Sequence, residues 1–228
     1  VIALSAIPGV LAVLLFSFGI KETSRPVVLP AENTPLRWSR LSPISRRYLT
    51  VMAFFTLGKI PETFLLLRGH ELGMTVVELL LLWAAMHVVK ALLAEQAGSR
   101  TDRIGRRPLI LTGWMIYAVT LFALAFVVEP MMLWAWSLAL GFYFGLTEGA
   151  ERALVRDLAV PAERGTAFGW FHMLVGTAAI PAGLMLGGLW AAFGVKIAFL
   201  VSCGLAFLAT IGFWLWVRIK PQNNVPGR

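Results

Sequence analysis

Long apolar runs alternate with short polar connections along the chain, at residues 1–20, 48–68, 75–96, 108–128, 131–151, 165–190 and 196–217. Each is about as long as the roughly 20 residues a helix needs to cross the bilayer hydrocarbon. None shows the in–out alternation of a barrel strand. Because helices and closed barrels alone satisfy every backbone hydrogen bond in lipid, the pattern predicts an all-α integral membrane protein with seven spans. Residues 69–74, 129–130 and 191–195 read as short hairpins, whereas 21–47, 97–107 and 152–164 carry charge. The spacing divides the chain into one helix at 1–20, a linker at 21–47, a six-helix bundle at 48–220 and a tail at 221–228. Pro26, Pro30, Pro35 and Pro43 keep most of the linker from regular helix. Its last part, RWSRLSPISRRYL, reads as a short amphipathic piece at the lipid surface.

Composition agrees with this reading: 58% of residues are hydrophobic, 14% are charged, and mean hydropathy is +0.77. The formal charge of +8 does not point to nucleic acid, because the basic residues lie between apolar runs and not on one face of a domain. Their distribution instead sets orientation, since cytoplasmic loops retain Lys and Arg. Connections 21–47, 97–107 and 152–164 and the C-terminal tail hold most of them, and the opposite side has Arg68 and Lys196. The expected topology therefore has the N-terminus outside and the C-terminus in the cytoplasm. The first run starts on Val1 with no basic stretch before it, unlike a signal peptide. It is expected to be the last helix of an upstream half. A single cysteine, Cys203, rules out an internal disulfide, and His70, His87 and His172 show no metal-ligand spacing. No phosphate-binding loop of ATP-driven pumps is present, and no cofactor is expected.

The stretch AGSRTDRIGRRPL at 97–109 places four arginines and an aspartate between two spans. Gly98 and Gly105 permit tight turns or close helix approach, and Pro108 suits the first turn of the next helix. The pattern Gly98-x-x-x-Asp102-Arg103-x-Gly105-Arg106-Arg107, between the second and third helices of a six-helix unit, resembles the cytoplasmic loop motif of the major facilitator superfamily. Arg100 stands where that motif usually has an apolar residue. The resemblance implies a twelve-helix transporter of two six-helix halves, of which this chain carries the second half and one preceding helix. It also implies a gating role for the loop. Asp102 would cap a neighbouring helix, and Arg103 would meet Asp157 or Glu151; the alternative is that these charges merely determine topology. Gly165, Gly169, His172, Gly176, Ala179, Gly183 and Gly187 share one helix face, where small residues allow close contact in lipid. With Pro181 and Gly188 they resemble a degenerate form of the glycine-rich motif of drug-exporting members.

Charges inside spans cost roughly 2.5–3.5 kcal/mol each even on lenient insertion scales, so they face cavities or partners. Lys59 lies about 16 Å beyond Tyr48 at about 1.5 Å per residue, near the midplane. Glu62 follows on the same helix face beside Pro61, which breaks the hydrogen-bond ladder. This Lys-Pro-Glu arrangement reads either as a substrate or proton site or as an internal salt bridge. Trp83, His87 and Lys90 form one stripe, readable as a cavity wall or as a bundle-facing polar face with Lys90 snorkelling. Glu148 and Arg152 have ion-pair spacing. His172 is expected to point into protein, as a packing residue or a proton carrier.

The expected function is thus a secondary transporter working by alternating access, coupled to protons and moving a small molecule. Drug-exporter-like antiporters of the bacterial inner membrane are the members most resembled, and Glu62 is the expected protonation site. A seven-helix receptor or sensor shares the deduced topology, but the charged loop and the absence of a retinal-type lysine in the last run oppose it. A membrane enzyme would need a nucleophile, base and metal constellation that the sequence does not display.

Overall fold

In the computed structural model the described residues are Val10, Leu11, Val13, Leu14, Leu15, Ser17, Phe18 and 37–217, with the side chains of Glu95 and 97–103 left out of the description. The chain falls into two units, Val1–Pro35 and Leu36–Arg228. The described residues of the first unit are helical.

The second unit is helical throughout, with no strand among the described residues. A 3-10 turn at Trp38–Arg40 leads into α1, Pro43–Leu57. Ser42 caps α1 by accepting the Ser45 N–H at 3.1 Å, and Pro43 occupies its first turn, where a missing N–H is harmless. The helix therefore begins ahead of residue 48, inside what reads as linker in the sequence.

The apolar run 48–68 is not one helix. It divides into α1 and α2, Thr63–Glu71, around an irregular segment from Gly58 to Glu62. Gly58 is required at that point, because an added Cβ would lie 2.8 Å from the Ala206 nitrogen and 2.9 Å from the Ser202 carbonyl oxygen. Pro61 then denies the ladder a donor. Tyr117 repairs the gap: its hydroxyl accepts the Ile60 N–H at 2.7 Å and donates to the Gly58 carbonyl at 3.3 Å.

α3 spans Val76–Ile104 and starts on a reciprocal cap. Glu78 accepts the Thr75 N–H at 2.7 Å, while the Thr75 hydroxyl accepts the Glu78 N–H at 3.3 Å. The expected hairpin at 97–107 is mostly helix. The turn is confined to Gly105, whose φ of 88° favours glycine, and α4 follows at once as Arg106–Leu124. α5 runs Pro130–Leu158, well past the expected end at 151. After a 3-10 turn at Pro161–Glu163, α6 covers Arg164–Trp216, broken by Gly194 at φ 81° and ψ 169° into portions matching the two expected spans. By length and composition, 76–94, 106–124 and the long 161–216 stretch can cross a membrane.

α3 packs on α5, α1 on α6, and α4 on both α5 and α6. An aromatic column fills the centre, with Phe55 stacked on Trp114 at 3.9 Å, Trp114 against Phe213 at 5.2 Å and Tyr117 against Tyr143 at 4.5 Å. Gly141 and Gly145 let the backbone of α5 approach that of α3 closely. A Cβ there would lie 2.6 Å from the Met86 carbonyl oxygen and 2.9 Å from that of Lys90. The glycine face expected to make close contacts, on α6, does not do so among the described residues: Gly165 and Gly176 have open space beside them, and Gly183 and Gly187 reach only Pro61 and Phe64 at ordinary distances.

Candidate functional site

The interrupted span positions the site. Because α1 ends at Leu57, Lys59 leaves the helical register and turns toward α5, while Glu62 turns toward α3. The two do not pair with each other, contrary to what a shared helix face implies. Lys59 Nζ lies 3.9 Å from Glu151 Oε2 and over the rings of Phe55 and Tyr143. Glu62 Oε2 accepts the Trp83 indole N–H at 2.8 Å and lies 3.6 Å from His87 Nε2.

A cavity of about 240 Å³ opens between the break, α3, α5 and the first portion of α6. Lys59, Lys90, Tyr143, Thr147, Glu148, Glu151, Arg152 and His172 provide its polar lining, and Met52, Phe144, Phe171 and Val175 its apolar wall. Five of the expected pathway residues, Lys59, Lys90, Glu148, Arg152 and His172, therefore meet here. Glu62 and His87 form a separate polar pair on the Trp83 side.

Glu148 pairs with two cations at once, with Lys90 Nζ at 2.6 Å and Arg152 Nη2 at 2.5 Å. Lys90 also lies 5.4 Å from the Phe144 ring centroid, so it is held in the bundle. His172 is solvent-exposed at the cavity rim and packs against Phe171 and Phe168. Its side chain is thus not enclosed by helix contacts as the small-residue face implies.

Glu151 lies in the same lining as Glu148 and Arg152. Its carboxylate is 5% exposed. Oε1 accepts the Trp114 indole N–H at 2.7 Å, and the Glu151 backbone carbonyl accepts the Tyr48 hydroxyl at 3.2 Å. It lines the cavity. Tyr143, Thr147 and Glu151 recur at one-turn spacing on α5 and share the cavity lining. The Tyr143 hydroxyl is buried, and no protein partner satisfies it among the described atoms.

At the C-terminal end of α5, Asp157 receives Arg106, which also donates to the Ala153 carbonyl at 2.5 Å. Arg156 Nε lies 3.6 Å from the same carboxylate, and Arg107 donates to the Trp214 carbonyl at 2.5 Å. Gly105 and these two arginines thus tie the start of α4 to α5 and α6. The side chains of Gly98, Asp102 and Arg103 fall outside the described residues. Among the described residues no group of three or more His, Cys, Asp or Glu side chains is placed to hold a metal ion.

The bundle can be set beside known proteins. An uncharacterized MFS-type transporter of Methanocaldococcus jannaschii is 27% identical over 168 residues, which cover 71% of this chain and 42% of that protein. The multidrug resistance protein MdtH of Cronobacter sakazakii is 32% identical over 147 residues, 59% of this chain and 35% of that protein. MdtH of Klebsiella pneumoniae is 30% identical over 146 residues, with the same coverage. The chain thus spans less than half the length of these relatives. The sequence model of the Major Facilitator Superfamily matches residues 48–228, the helical bundle together with its C-terminal end. Multiple membrane-spanning helices, charges gathered around a cavity at a broken span, and this match lead to one conclusion: the chain belongs to the Major Facilitator Superfamily.

Proposed function

We propose that the chain is part of a secondary transporter working by alternating access, and that the cavity at the break between α1 and α2 holds its small-molecule substrate. The observation that carries this reading is the convergence of Lys59, Lys90, Glu148, Arg152 and His172 on one cavity at an interrupted span. Transporters place substrates at such interruptions, where unwound backbone and buried charge are available. A bundle evolved only for anchorage has no use for several ionisable groups in one place.

In this reading transport is coupled to protons, with Glu62 and His87 as a second polar station beside the cavity. The loop residues Gly98, Asp102, Arg103, Gly105, Arg106 and Arg107, with Asp157, hold the cytoplasmic end closed in one state. A six-helix N-terminal half completes the transporter, which resides in a bacterial inner membrane with its C-terminus in the cytoplasm. The protein transports and does not catalyse, and it uses no cofactor and binds no nucleic acid. The similarity to multidrug resistance proteins brings drugs into the range of compounds to be tested. Family membership does not favour a receptor.

The test is transport by the full-length protein in proteoliposomes under an imposed pH gradient, screening aromatic anions, cations and neutral compounds. The expected result is gradient-driven movement of at least one compound, lowered more than tenfold by Glu148→Gln and by Lys59→Gln. Undiminished transport in both variants, with the protein still folded, would rule out this cavity as the substrate site.

A further inference from the structure

The groups around the cavity are unequal in a way that assigns a ligand class. Lys90 and Arg152 share one carboxylate, Glu148, leaving that cluster with an excess positive charge. Lys59 and Glu151 form a looser pair at 3.9 Å, with Lys59 25% exposed and Glu151 5% exposed. A ligand entering the cavity therefore reaches the ammonium first, with the carboxylate behind it. The Tyr143 hydroxyl, buried in the same lining, supplies a further donor. Phe144 and Phe171 provide an apolar wall.

Resting on the transport reading above, we propose that the cavity takes an aromatic or amphiphilic organic anion together with one proton, the anion at Lys59 Nζ and the proton on Glu151. Charge balance links the two. In the empty cavity Lys59 and Glu151 neutralise each other. An anion that pairs with Lys59 removes that partner from a carboxylate almost cut off from water, which then takes a proton from solution. One anion and one proton enter together, and no net charge is added to the site. Because both ligands favour the same state, the proton gradient drives uptake of the anion and not its exchange for protons. The other titratable groups near Glu151 are Tyr48 on α1, Lys90 on α3, Tyr143, Glu148 and Arg152 on α5, and His172 on α6. Trp114 on α4 is a fixed donor that does not titrate.

The experiment uses the purified full-length protein and two probes of similar shape and opposite charge, benzoate and benzyltrimethylammonium. Calorimetry in two buffers of different ionisation enthalpy counts the protons taken up. Benzoate should bind with uptake of about one proton, and its Kd should weaken about tenfold per pH unit where the empty site is deprotonated. Glu151→Gln should bind benzoate at least as tightly, with no proton uptake and no pH dependence, and Lys59→Gln should lose benzoate binding. Proton counting on the unaltered protein keeps the test valid if a variant does not fold. Benzoate binding without proton uptake, or uptake that persists in Glu151→Gln, overturns the assignment. Preferential binding of the cation overturns it while leaving the cavity as the transport site. If neither probe binds, the anion assignment fails. Transport that also survives Lys59→Gln and Glu148→Gln would end the transport-site reading as well.

Discussion

Tyr117 holds an interrupted span together with one hydroxyl. It serves both the Ile60 N–H and the Gly58 carbonyl, groups that a continuous helix would have paired within itself. Removing that oxygen leaves two buried backbone groups unsatisfied, at a cost of about 1–3 kcal/mol. Tyr117→Phe should therefore lower the thermal midpoint of the detergent-purified protein, and an unchanged midpoint would mean the break is satisfied in some other way. Lys59 was recognisable as unusual from its depth in an apolar run. Its partner was not, because the spacing to Glu62 presumes a helix that the structure does not contain there. Glu151 was legible as the last residue of its apolar run, beside Glu148, but its contacts with Lys59 and Trp114 depend on where α1 breaks and on how α4 packs.

Helix boundaries respond to local chemistry, and two glycines make that measurable. Gly105 separates α3 from α4 at φ 88° and ψ 150°, a region that residues with a Cβ enter at a cost of about 1–3 kcal/mol. Gly105→Ala should destabilise the fold by that amount in a denaturation series, although an added Cβ would meet only Pro108 Cδ, at an ordinary 3.8 Å. Gly145 acts through contact. A Cβ there would lie 2.7 Å from the Leu93 Cβ and 2.9 Å from the Lys90 carbonyl oxygen, so α3 and α5 would have to separate. Gly145→Leu should cost about 1–3 kcal/mol and disturb the Lys90–Glu148 ion pair. Gly149→Ala, on the same helix but facing open space, should cause no loss of stability. The long charged stretch before Gly105 is helical for most of its length, because polar residues outside the apolar slab still propagate a helix once nucleated. A hydropathy pattern locates the edge of the slab, not the end of the helix.

For the molecule as a whole, charge distribution and packing answer different questions. The bias of Lys and Arg predicts that Glu129, exposed before α5, lies outside, and that Arg156, near the other end of α5, lies inside. Cysteine introduced at each position, in a cysteine-free background of the full-length protein, should react with a membrane-impermeant maleimide in intact cells at residue 129 and not at 156. The reverse pattern would invert the topology. Arg106 joins the start of α4 to Asp157 and Ala153 at the far end of α5. Asp157→Asn should accordingly alter the rate of transport more than the affinity for substrate, as expected of a residue holding one conformation closed.

The sequence alone determined the class of the molecule. Apolar runs long enough to span a bilayer and the one-sided placement of basic residues follow from transfer energies that act residue by residue, and so they are visible without coordinates. The Gly98–Arg107 pattern likewise marked the family, because charged and glycine residues at fixed spacing between two spans are a local feature. Tertiary structure alone decided the partners: Lys59 with Glu151, Glu62 with His87 and Trp83, and Gly141 and Gly145 as the close-packing glycines in place of the α6 face. These depend on which helices become neighbours and on where a helix breaks. Contacts between residues distant in sequence set both, and the period of no single segment records them.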